Sequence, residues 1–219
     1  MTIQKFSAKF ERLTADQLAP WKGIPPAVAS DCMNRGHVMA SRISPLAFGM
    51  TLCGQARTVT SMVGDHSATL VAIDLAEPGD ILVIDARGHT ETAVWGGVMT
   101  QAALARGIAG IVVDGAVRDA AEIRQLGFPT FASGICPAGP NRGFGGAVDG
   151  PISCGACPVQ PGDIVIGDDD GIAVIPLRHR EAVLRAALLK LDEEKGLYAD
   201  IKSGRSLATR FGLVVEDMG

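Results

Sequence analysis

No lysine stands between Lys22 and Lys190. A Schiff-base mechanism needs a core amine, a phosphate-binding P-loop needs Gly-Lys-Ser/Thr, and pyridoxal phosphate needs an anchoring lysine, so all three chemistries are disfavoured. A basic field is missing as well: 20 Lys and Arg against 24 Asp and Glu leave a formal net charge of −4, and aromatics make up only 5% of the chain. Neither phosphate backbones nor stacked bases find a platform here, and nucleic acid is not an expected partner. Apolar runs are of strand length and broken by glycine or charge, and the first 30 residues lack the basic-then-apolar layout of a secretion leader. No membrane span is expected, and a cytoplasmic location is. Cysteines number five, an odd count that argues against a disulfide framework. Cys154-Gly-Ala-Cys157 has the spacing of half a zinc site, but no second Cys/His pair matches it and it precedes a strand, so it reads as packing.

What the 219 residues do contain, at 47% apolar, is enough for one sizeable core. The expectation is a single domain over 1–219, with an N-terminal arm over 1–24 and a C-terminal helix and tail over 177–219. Residues 14–36 read as short helical pieces broken by Pro20, Pro25 and Pro26. Strands are expected over 51–63, 81–85, 110–115 and 129–132, and helices over 66–76, 92–106 and 118–126, an alternation that argues for an α/β layer. The glycine-rich stretch 134–150 reads as an irregular loop, functional or an assembly contact. Residues 162–176 read as a hairpin turning at Asp169-Asp170-Gly171, which explains three adjacent aspartates without calcium. Pro-Gly-Asp occurs at 78–80 and 161–163 and suggests a reused strand-entry turn. A long charged helix follows over 177–203, with Leu184, Leu188 and Leu191 on one stripe.

The chemistry is expected at Arg118-Asp119. An apolar strand delivers a guanidinium and a carboxylate together to a helix start, which suits a small carboxylate substrate and a metal ion. A helix cap with a local ion pair is the bland alternative. His66, and His89 with Glu91, fall near strand ends and are candidate proton carriers. Trp95, in a Gly/Ala-rich segment, reads as core.

The strings Ala93-Val-Trp-Gly-Gly97, Ala105 through Asp119, Gly127-Phe-Pro-Thr-Phe131, Pro161-Gly-Asp163 and Gly167-Asp-Asp-Asp-Gly171 together resemble the RraA-like family over residues 25–215. That family holds divalent-metal-dependent 4-hydroxy-4-methyl-2-oxoglutarate / 4-carboxy-4-hydroxy-2-oxoadipate aldolases and non-enzymatic regulators of ribonuclease E. The resemblance implies a β/β/α sandwich of the swivelling-domain type, assembled as a trimer or hexamer with sites between subunits. It implies that Arg118 contacts the pyruvyl part of a small 2-oxo acid, that Asp119 binds Mg²⁺ or Mn²⁺, and that backbone amides of Gly96, Gly97, Val98 and Met99 hold the carboxylate. Glu194 matches a glutamate that reaches the metal waters from a neighbouring chain. The aldolases carry an acid where this chain has Gly97, whereas the regulators often lack the acid found here as Asp119. The implied activity is cleavage to pyruvate and a second oxo acid, with oxaloacetate decarboxylation from the same enolate; the alternative is a regulator that binds an RNase or another protein. Methyl transfer is remote, because Gly88 through Gly97 lacks Gly-x-Gly-x-x-Gly spacing.

Overall fold

Residues 81–84 and 111–113 are apolar at every position, as in strands buried on both faces, and the fold sorts them by parity. Leu82, Ile84, Ile111 and Val113 enter one core, while Ile81, Val83 and Val112 enter another on the opposite side of the sheet. The computed structural model describes residues 2–216 and 218; Met1, Asp217 and Gly219, at the extremes of the expected arm and tail, lie outside the described residues.

Along the chain come β1 (Ile3–Lys5), α1 (Ala15–Leu18), a 3-10 turn (Ala19–Gly23), α2 (Pro26–Cys32), β2 (Ser44–Pro45), β3 (Leu52–Ser61), α3 (Ser67–Leu75), β4 (Asp80–Trp95) and α4 (Gly97–Ala105). There follow β5 (Gly110–Val117), α5 (Ala120–Leu126), β6 (Thr130–Ile135), β7 (Gly146–Val148), β8 (Ile152–Cys154), β9 (Cys157–Val159), β10 (Ile164–Asp168) and β11 (Gly171–Ile175). A second 3-10 turn (Leu177–His179), α6 (Arg180–Lys202) and α7 (Leu207–Arg210) close the described chain.

Strands β3, β4, β5 and β6 pair in parallel in that order, and α3, α4 and α5 are the three crossovers. Repeating the same right-handed crossover in one direction puts all three helices on one face, where their Ala72, Ala103 and Ile123 meet the sheet. The other face is covered by the β8–β9 hairpin and by β10 and β11, whose Cys154, Val159, Val165 and Val174 fill the second core. The result is a helix layer, a mixed sheet and a further strand layer that joins that sheet where β10 pairs antiparallel with β3, the β/β/α arrangement implied by the family resemblance. Helix α6 packs on α2 beside β10 and β11, with Trp21, Ala29, Ile164, Ile175 and Ala187 in a third core. No helix is long and apolar enough to cross a membrane among the described residues.

Several boundaries differ from the sequence reading. The helix expected from Thr92 begins at Gly97, because β4 bulges after Asp85 and resumes pairing with β5 through Ala93↔Ala116 and Trp95↔Val117. Within the expected irregular loop, residues 134–135 finish β6 and β7 pairs with both β1 and β3. On α6 the buried stripe is Val183, Leu184, Ala187 and Leu191; Leu188 is 51% exposed. The two Pro-Gly-Asp turns are built alike: Asp80 Oδ2 accepts from Glu77 N at 2.9 Å and Asp163 Oδ2 from Gln160 N at 2.8 Å.

Candidate functional site

At the carboxyl ends of the parallel strands, where open α/β sheets hold ligands, Trp95 pairs with Val117 and Arg118 N donates to Trp95 O at 2.9 Å. That pairing brings two chain segments to one spot: the start of α4 at Gly97 and the dipeptide Arg118-Asp119. The dipeptide precedes α5 rather than lying in its first turn, with Asp119 left-handed at φ 55° as the N-cap residue. Its carboxylate caps no amide of α5. Instead Oδ2 accepts the Gly97 N–H at 2.9 Å, so the helix start facing the pair is that of α4. The expected cap exists, but between elements.

Close approach explains the small residues here. A Cβ on Gly96 would lie 2.6 Å from Asp119 Oδ2 and 3.0 Å from Arg118 Cγ, and one on Gly97 would run into the Glu122 carboxylate. Arg118 Nε stands 3.6 Å from Asp119 Oδ2, and both side chains are 42% exposed, a loose pair with donors and lone pairs to spare.

A cavity of about 240 Å³ opens beside the pair, lined by His66, Trp95, Gly96, Val98, Met99, Arg118, Asp119 and Arg142, among others. Val98 and Met99 are the second and third residues of α4, so their amides have no acceptor within the helix and remain available to an anion. Trp95 is buried, stacks on Phe128 at 6.3 Å between centroids and donates to Thr100 Oγ1 at 2.8 Å, consistent with core. Both ring nitrogens of His66 are buried without a hydrogen-bond partner. Burial, then the nearby Arg142 and more weakly Arg118, hold the His66 pKa below its ordinary value, so the ring favours the neutral form.

Arg118, Asp119, Gly96, Val98, Met99 and His66 therefore converge. Gly97 sits beneath Glu122, and its amide is engaged by Asp119. His89 Nε2 faces Thr92 Oγ1 at 3.4 Å and Glu91 faces Thr90 Oγ1 at 3.4 Å, both on the bulged part of β4 and outside the cavity lining. Glu194 lies on α6, which contributes no lining residue within this chain. Asp168 and Asp169 accept backbone N–H bonds from Asp170 and Gly49 in a hairpin turn. Cys154 and Cys157 are cross-strand neighbours buried in the core, where desolvation raises both thiols, Cys157 to about 11. A larger hollow of about 420 Å³ beside Trp21 and Cys53 brings only Lys22 and Asp168 as charged groups.

Three contributors escaped the sequence reading. Glu122 follows Asp119 by three residues, a spacing that was there to be read, and its carboxylate lies over Gly97 at the start of α4. Arg142 and Asp65 come from distant loops. Asp65 is buried and accepts from Ser67 N, Gly143 N and Phe144 N at 2.7, 2.8 and 3.0 Å. Burial alone would raise its pKa; these hydrogen bonds outweigh that and leave it lowered.

A family model described as RraA-like, Aldolase/RraA, matches residues 26–174. A Halalkalibacterium halodurans protein, provisionally named 4-hydroxy-4-methyl-2-oxoglutarate aldolase, is 39% identical over 180 residues, which is 82% of this chain and 86% of that protein. Among solved structures, an uncharacterized protein of Pseudomonas syringae pv. tomato superposes with a TM-score of 0.80 at 26% identity, covering 93% of this chain and 97% of its own. Streptomyces coelicolor RraAS2, titled an unusual member of the RNase ES inhibitor RraA family, gives a TM-score of 0.76 at 27% identity over 86% of this chain and 99% of its own.

Proposed function

The chain belongs to the RraA-like family, and from that membership and the geometry around Arg118 and Asp119 we propose that it is a divalent-metal-dependent carbon–carbon lyase. Its substrate is a 4-hydroxy-2-oxo dicarboxylic acid, cleaved to pyruvate and a second oxo acid, and oxaloacetate loses CO₂ at the same site. The observation that carries this reading is the half-exposed Asp119 carboxylate, tied by one oxygen to the start of α4 while Arg118 faces the same cavity.

The donor set suits a hard cation. Asp119 is the carboxylate that would hold Mg²⁺ or Mn²⁺, Glu122 lies close by, and magnesium commonly keeps several waters beside one or two carboxylates. Among the described residues no three His, Cys, Asp or Glu side chains gather, so this chain by itself would give the ion no more than two such ligands here. When bound, the cation supplies Lewis-acid stabilisation of enolate charge, the role a core lysine would otherwise fill.

The chain's own groups do the rest. Arg118 offers paired N–H donors to the 2-oxo acid end, and the amides of Val98 and Met99 offer two more at a helix start. His66, the one sequence-nominated proton carrier that lines the cavity, takes the C4 hydroxyl proton as the C3–C4 bond breaks. The bond's electron pair becomes the pyruvate enolate, and the imidazolium of His66 returns the proton to its C3, which restores the neutral ring. Decarboxylation of oxaloacetate forms the same enolate.

Glu194 completes the site from a neighbouring chain in a trimer or hexamer. Exposed apolar side chains support such an assembly, among them Val98 at the cavity rim and Phe48, Leu189 and Tyr198 elsewhere. Pyruvate release from oxaloacetate and from a 4-hydroxy-4-methyl-2-oxo dicarboxylate, with Mg²⁺ and with EDTA, tests the reading. Release that needs the metal is the expected result; none above the uncatalysed rate would leave the second reading, a protein-binding regulator, which Gly97 and the likeness to RraAS2 favour.

A further inference from the structure

We propose that Arg142 is the specificity-determining residue of this cavity and holds the distal carboxylate of a five-carbon 2-oxo dicarboxylate; the proposal rests on the lyase reading for the role of Arg118 at the other end.

Arg142 lies in an exposed loop, yet its backbone is pinned from both sides. Asn141 N donates to Gly64 O at 2.7 Å, and Asp65 Oδ2 accepts from Gly143 N and Phe144 N at 2.8 and 3.0 Å. The buried Asp65 therefore fixes the loop that carries the guanidinium to the cavity. A charge held at a cavity ordinarily has a partner. Arg118 has Asp119 beside it, whereas no ion pair involves Arg142 among the described residues, which leaves its guanidinium uncommitted to a carboxylate of this chain.

The rest of the lining matches a short dianion. Guanidiniums at Arg118 and Arg142 share one lining with the apolar Leu70, Trp95 and Met99, a composition that suits two carboxylates joined by a short carbon chain. Two guanidiniums, Arg118 and Arg142, face the lining's single carboxylate, Asp119, so positive charge prevails.

The test compares 2-oxoglutarate with 2-oxopentanoate, which has the same carbon chain without the distal charge; neither has the C4 hydroxyl needed for cleavage. Titration calorimetry in Mg²⁺ is expected to show the wild-type protein binding 2-oxoglutarate about tenfold or more tighter, with Arg142→Gln erasing the preference and leaving 2-oxopentanoate binding unchanged. Arg142→Lys should restore part of the preference, since the charge returns without the fork. No preference in the wild type, or an equal loss for both acids in Arg142→Gln, overturns the proposal. A preference that depends on Arg142 in a protein that releases no pyruvate keeps this assignment and sinks the lyase reading. Pyruvate release with a preference indifferent to Arg142 does the reverse.

Discussion

Strand β5 carries one Arg–Asp pair near its middle and delivers another at its end, and the two are built in opposite ways. Asp114 is 5% exposed and saturated: Arg42 donates to both of its oxygens at 2.9–3.1 Å, Ser133 Oγ at 2.9 Å and Gly155 N at 2.9 Å. Asp119, five residues on, has one backbone donor, a guanidinium at 3.6 Å and a carboxylate 42% open to solvent. A carboxylate with every lone pair engaged holds sheet, loop and hairpin together and can accept nothing further. One left short of partners beside a cavity retains capacity for a ligand. Its left-handed backbone, uncommon away from glycine, turns the side chain towards α4 and away from its own helix.

The sharpest way to break this contrast is to neutralise each carboxylate. Asp119→Asn keeps an acceptor for Gly97 N–H and a residue tolerant of left-handed φ, so the fold should change by no more than about 0.5 kcal/mol while metal-dependent pyruvate release falls by about 10²- to 10³-fold. Unchanged turnover would reduce Asp119 to a cap. Asp114→Ala should do the opposite. Gly155 N–H and the Ser133 hydroxyl lose their acceptor, and the expected cost is about 2–4 kcal/mol in denaturant unfolding, with turnover per folded molecule preserved. Arg42 is 47% exposed and can rehydrate, which keeps the figure below that of a fully buried pair.

Acid should also separate the pair that stabilises. For Asp114 burial acts to raise the pKa, but bonds from Arg42, Gly155 and Ser133 prevail and lower it. A carboxyl with a lowered folded-state pKa contributes stability that is fully present above its unfolded value near about 4 and is lost as pH falls through the folded value. Asp114→Asn should flatten the acid limb of stability against pH by up to about 1.4 kcal/mol per pH unit, one proton's worth. An unaltered limb in urea titrations from pH 5 downwards would assign the acid sensitivity elsewhere.

How much of this was legible beforehand follows from the range of the forces involved. The alternation of strand and helix signals from 81 to 132 is local and marked the α/β layer, while the sorting of residues 81–84 and 111–113 between two cores emerged only with the fold. Arg118-Asp119 stood out because two adjacent charges end a strand that is apolar but for Asp114. The start of α4 was misplaced because Thr92–Trp95 carries no breaker, and only pairing with β5 across the bulge keeps it extended. Arg142 and Asp65 were invisible as a unit. Their alliance joins residues far apart in sequence through Gly143 N and Phe144 N, and backbone amides leave no trace in composition. Glu122 was within reach of helical spacing, had Gly97 been read as space for a neighbour's side chain.

The finest form of the comparison lies in two adjacent glycines. A methyl on Gly96 meets Asp119 Oδ2 at 2.6 Å and the stem of Arg118 at 3.0 Å, groups held by the strand end and by the Gly97 hydrogen bond, so the carboxylate itself must shift. The nearest atoms to a methyl on Gly97 are those of the Glu122 carboxylate, the far end of a flexible and exposed side chain that can swing into solvent. Neither position needs glycine for its backbone: Gly96 is extended, with φ −166°, and Gly97 opens α4. Mn²⁺ titrations followed by electron paramagnetic resonance should therefore show Gly96→Ala weakening the ion by about tenfold or more and Gly97→Ala by less than about threefold. A larger loss at Gly97 than at Gly96 would move the metal from Asp119 towards Glu122, because only displacement of Glu122 distinguishes the second substitution from the first.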